Sequence, residues 1–113
     1  MIQILHNPRC AKSREVFNYL NEKGVETETI RYLDNPLSAK ELKDIAKKIG
    51  IKPVDWVRKT EPFYKSELRG KTFPDDQWFE ILSLHPQLIG RPVVINGNKA
   101  IIGRTFKKII DIL

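Results

Sequence analysis

A chain of 113 residues that is 41% hydrophobic and 30% charged fits a single domain over residues 1–113 and needs no second one. No apolar run reaches the length a bilayer-spanning helix needs, and Met1 leads straight into a strand pattern rather than a basic, then apolar, leader, so no membrane association is expected and the expected compartment is the cytoplasm. The net charge of +6 attracts anions, but basic residues are scattered among acidic ones instead of forming a block, which argues against a nucleic-acid partner.

In chain order, Ile2-Gln3-Ile4-Leu5 predicts a short strand, and Val16, Phe17 and Leu20 recur at helical spacing until Gly24 supplies the stop. Val25 to Tyr32, with Thr27, Thr29, Ile30 and Tyr32, favours extended structure. Strand, helix, strand over this length implies a right-handed βαβ unit with parallel strands. Ser38-Ala39-Lys40-Glu41 is a capping-box pattern; Leu42, Ile45, Ala46 and Ile49 then share one face before Gly50. A short turn is expected near Pro53, and Arg58 to Lys71 is the least regular stretch. Pro74-Asp75-Asp76 opens a third helix with Trp78, Ile81 and Leu82 as its buried stripe, ended by His85-Pro86. Both tryptophans read as core.

From Pro92 the period changes to strand: Val93-Val94-Ile95 and Ala100-Ile101-Ile102 flank Asn96-Gly97, a strong hairpin signal. A last helix is expected from near Thr105, with Phe106, Ile109, Ile110 and Leu113 at helical spacing. The order βαβ, helical insert, ββα is that of an α/β thioredoxin-like fold with a four-stranded mixed sheet. No repeat, low-complexity tract or linker interrupts it.

The chemistry centres on the only cysteine, Cys10, in His6-Asn7-Pro8-Arg9-Cys10-Ala11-Lys12-Ser13-Arg14. The predicted boundary puts it at the carboxyl end of the first strand, the edge where open α/β sheets bind ligands, and at a helix N-terminus. Partial positive charge from that helix and full charge on Arg9, Lys12 and Arg14 favour the nucleophilic thiolate. A structural cysteine would be expected among Val, Leu or Ile. Ser13 stands where a Cys-x-x-Cys motif has its resolving cysteine, so no internal disulfide forms and any oxidised Cys10 needs an outside thiol. Arg58, Arg91 and Arg104 stand at element boundaries, where loops carry function. In a thioredoxin-like arrangement the loop entering the third strand brings Arg91 beside the cysteine, and a cis Arg91-Pro92 peptide would suit that loop. Guanidinium forks match tetrahedral oxyanions. With one Cys and two His, His6 and His85, no metal site is expected, and no phosphate-loop or dinucleotide signature is present.

With these residues in place the chain resembles the glutaredoxin-coupled arsenate reductase family, whose relatives include the Spx-type transcription regulators. The resemblance spans nearly the whole chain. It is carried by His6-Asn7-Pro8-Arg9-Cys10 with Ser13-Arg14, Arg31-Tyr32-Leu33 with Asn35-Pro36, Arg58-Lys59 with Glu61-Pro62-Tyr64, and His85-Pro86 with Arg91-Pro92-Val93-Val94. It implies that Cys10 attacks arsenate, that Arg58, Arg91 and Arg104 are catalytic and hold its oxygens together with Ser13, and that glutathione and glutaredoxin reduce the thioarsenate adduct to release arsenite. His6, Arg14 and Pro92 would support the site. Glutathione is then a co-substrate, with no bound cofactor and no metal. Ala11 stands where arsenate-reducing members commonly carry glycine, and Arg9 where many carry alanine. Two other readings compete: a glutathione-dependent thiol oxidoreductase, and a Spx-like regulator whose partner is RNA polymerase.

Overall fold

Four short strands lie in one mixed sheet of order β2-β1-β3-β4: β1 (Ile2–Leu5), β2 (Thr27–Ile30), β3 (Val93–Asn96) and β4 (Lys99–Ile102). The computed structural model describes residues 2–90 and 92–102. The helix expected from Thr105 lies outside them, as do Arg91 and Arg104. β1 pairs parallel with β2 and antiparallel with β3, and β3 pairs antiparallel with β4. The described residues fall into two compact units, 2–35 with 92–102, and Pro36–Gly90.

In the sheet unit, helix α1 (Ala11–Glu22) crosses from β1 to β2. Side chains alternate across a strand, and register brings Ile4, Val94 and Ile101 side by side. Ile2, Ile4 and Val94 pack with Val16 and Leu20 of α1 in a core that Phe17, Val25 and Ile101 extend. Leu5, Val93 and Ile95, on the opposite face, are also buried. This explains why these strands are almost wholly apolar instead of alternating.

β2 is shorter than Val25 to Tyr32 predicts, since the Arg31 carbonyl accepts the N–H groups of Asp34 and Asn35 and turns the chain. Tyr32 is fully buried in that turn. The hairpin is displaced by one residue: Asn96 pairs with Lys99, leaving Gly97-Asn98 as the loop. Gly97 has φ +61° while Asn98 keeps a negative φ, the pattern of a II′ turn, which needs glycine at its first central position.

In the helical unit, α2 (Ala39–Ile49) begins with both bonds of the capping box: Ser38 Oγ accepts the Glu41 N–H, and Glu41 Oε1 accepts the Ser38 N–H. Gly50 ends it at φ +84°. α3 (Pro53–Trp56) is one turn, and α4 (Asp75–Leu84) packs on α2. The buried face of α4 is Trp78, Phe79 and Leu82; Ile81 is only half-buried, so the predicted stripe was rotated by part of a turn. The irregular stretch contains a π-helical turn over Tyr64–Leu68.

One clamp in this unit matters for the site. Trp56 Nε1 donates to the Gly90 carbonyl at 2.9 Å, the Gly90 N–H donates to the Trp56 carbonyl at 2.9 Å, and Val57 bridges Ile89. A Cβ on Gly90 would meet the Trp56 carbonyl oxygen at 2.8 Å, so only glycine permits this approach. The clamp ties the backbone that enters Arg58 to the backbone that leads, one residue on, into Arg91.

Candidate active site

The thiol sits where β1 gives way to α1. The His6 N–H still bonds to β2, at the Ile30 carbonyl (3.1 Å), and the chain then folds into a turn. The Asn7 carbonyl accepts the Cys10 N–H at 3.0 Å, and Asn7 Oδ1 accepts the Arg9 N–H at 3.0 Å. Asparagine before proline is suited to such a turn, because its side chain bonds its own backbone two residues on. Cys10 is the N-cap of α1, in extended conformation, and its carbonyl accepts the Arg14 N–H at 3.0 Å. Its side chain therefore occupies the end of the helix where first-turn amides and the macrodipole favour an anion. Cys10 is partly exposed, so a reagent can reach it.

Three side chains lock the turn. Ser13 is fully buried; its Oγ lies 2.7 Å from His6 Nδ1 and accepts the Asn7 N–H at 3.0 Å. The resemblance implied a substrate contact for Ser13, but the structure gives that hydroxyl two partners within the loop and no surface. It acts here as the pin of the loop. Arg14 Nη1 donates to the Pro8 carbonyl at 2.9 Å and straps the turn from outside. His6 is buried and stacks on Phe17, with ring centroids 5.0 Å apart. Burial, then the charges of Arg31 and Arg14, hold its pKa below 6.5, opposed by a hydrogen bond at the Ser13 backbone. A neutral imidazole lets Ser13 donate its hydroxyl hydrogen to Nδ1 while accepting from Asn7. Protonation of Nδ1 would turn that atom into a second donor aimed at the same oxygen.

His6, Cys10, Ser13 and Arg14 are thus brought together in one loop. Arg58 belongs to the helical unit, its N–H bonded to the Leu88 carbonyl at 2.7 Å and its guanidinium 3.8 Å from Glu61. Pro92 is buried at the start of β3. Two residues given no site role on the sequence also belong to the loop's surroundings. Asn7 was legible as an Asn-Pro turn; Arg31, just after β2, stood in a segment that carries the resemblance, but with no role attached to it. No helix among the described residues is long and apolar enough to cross a membrane, and no cluster of metal-ligating side chains occurs among them.

A mixed sheet of order β2-β1-β3-β4 with a single thiol capping the crossover helix defines a thioredoxin-like protein of the one-cysteine kind. Residues 5–112 match the ArsC family, and the chain belongs to it. It is 42% identical to the arsenate reductase of Haemophilus influenzae, over 97% of each chain. It is 37% identical to the arsenate reductase of Neisseria meningitidis, over 99% of this chain and 97% of that one. The solved arsenate reductase of Vibrio cholerae superposes with a TM-score of 0.93 at 35% identity, covering 99% of this chain and 97% of that one.

Proposed function

We propose that this protein reduces arsenate to arsenite with electrons from two thiols, one of them Cys10. The observation that carries the reading is the lone cysteine at the N-cap of α1 in a chain related along its whole length to arsenate reductases. The Cys10 thiolate attacks arsenic and displaces one oxygen, which leaves as water. A second thiol, RSH, then completes the two-electron reduction, so that arsenate, Cys10–SH and RSH become arsenite, Cys10–S–S–R and water. A further thiol breaks the mixed disulfide and frees Cys10. Glutathione and glutaredoxin supply these thiols in this reading, because Ser13 offers no internal alternative.

Arg58, Arg91 and Arg104 hold the arsenate oxygens by charge-assisted bonds. The long pairing of Arg58 with Glu61 suits a guanidinium that an oxyanion recruits. His6, Ser13, Arg14 and Pro92 act by shaping the loops. The test is NADPH consumption by the protein with glutathione, glutaredoxin and glutathione reductase. Arsenate-dependent turnover that Cys10→Ser abolishes is expected; turnover without arsenate dependence would sink the reading.

A further inference from the structure

A cavity of about 460 Å³ opens beside the thiol loop, on the side of β2, lined by His6 to Arg9 and by Arg31, Leu33 and Asp34. We propose that it binds the carboxylate end of the low-molecular-weight thiol that attacks at Cys10, with Arg9 and Arg31 as its anion-holding side chains. This rests on the reading above only in needing an external thiol; it says nothing of arsenate.

The cavity lies at the carboxyl ends of two parallel strands, where such sheets hold their ligands. Its wall is the same turn that carries the thiol: the Asn7 carbonyl accepts the Cys10 N–H, and Arg9 immediately precedes Cys10. A molecule seated there is anchored within one residue of the sulfur. The volume lies in the range of small-molecule sites and suits a molecule of tripeptide size. Both long cations on its wall are exposed. Arg31 pairs with Asp34 at 2.9 Å, with both side chains about three-fifths exposed (59% each). A surface pair of this kind is weak, so a ligand carboxylate can share the guanidinium, which offers five donors. Arg31 also lies near enough to His6 for its charge to help hold the imidazole pKa down. With His6 neutral, the wall carries two cations against one carboxylate and is selective for a ligand with net negative charge.

The test uses the full chain with Cys10 converted to its mixed disulfide with thionitrobenzoate. Attack by RSH forms Cys10–S–S–R, breaks the Cys10–S–S–aryl bond and releases the yellow thionitrobenzoate anion and a proton. The rate is followed with glutathione and with 2-mercaptoethanol, which carries no carboxylate. Both attack as thiolates, but glutathione carries one more net negative charge; the ratio is therefore read at about 1 M salt, where that general attraction is screened and the carboxylate contact is what remains. We expect saturation with glutathione, and a rate ratio lowered by about tenfold in Arg31→Ala, the size of one charge-assisted hydrogen bond. Asp34→Asn, which frees Arg31, should raise the ratio. Equal ratios in wild type and both variants would overturn the proposal. Competition by inorganic phosphate that Arg31→Ala removes would also overturn it, by assigning the cavity to an inorganic oxyanion. Neither result bears on whether arsenate is reduced, which the NADPH assay decides separately.

Discussion

The Ser13 hydroxyl joins three parts of the thiol loop: the helix that carries it, the imidazole of His6 and the backbone of Asn7. Ser13→Ala leaves a buried N–H and a buried ring nitrogen without that partner, a loss of about 1–3 kcal/mol. Urea denaturation should show this cost with an unchanged m-value. The same bonds set a pH dependence. The folded pKa of His6 lies below its unfolded 6.5, so at pH values between the two the unfolded chain binds more protons. Stability is therefore fully present above about 6.5 and falls as the pH drops below it. In His6→Gln that component should disappear, measured as the change in urea midpoint between neutral and mildly acidic buffer. An unchanged slope would mean that other groups dominate acid unfolding.

At the scale of elements, the two ends of α2 and the clamp at Gly90 make distinct demands. Ser38→Ala removes the acceptor for the Glu41 N–H and should cost about 1 kcal/mol, read as a lowered thermal midpoint. Gly90→Ala forces a Cβ to within 2.8 Å of a backbone oxygen, and an overpacking cost of about 1–3 kcal/mol is expected. Because Gly90 precedes Arg91, this variant should also raise the KM for arsenate in the NADPH assay, whereas Ser38→Ala should leave it unchanged. Both helix ends were readable because capping chemistry is local. The rotated stripe of α4 was not, since Ile81 and Phe79 are equally apolar and only packing against α2 decides which is covered.

For the whole molecule, the charge of +6 bears on how anions reach Cys10. Iodoacetate and iodoacetamide alkylate the same thiolate, one as an anion and the other neutral. Their rate ratio should fall as salt shortens the screening length from about 10 Å at 0.1 M to about 3 Å at 1 M. A ratio that does not change with salt would show that the net charge does not steer ligands to this loop.

The sequence by itself determined the order of the main elements among the described residues, the caps of α1 and α2, the parallel pairing of β1 and β2, and the lone thiol at a strand-to-helix boundary. These follow from periodicity, glycine and proline chemistry and residue counts, which act over a few neighbouring positions. Tertiary structure alone decided that Ser13 faces inward to His6, that the hairpin turns at Gly97-Asn98, that Arg31 walls a cavity beside the loop leading to the thiol, and that Gly90 lies against Trp56. Each of these depends on how strands pair and side chains pack in three dimensions, within a loop or between distant segments such as Trp56 and Gly90, and residue preferences alone do not choose among the possible pairings.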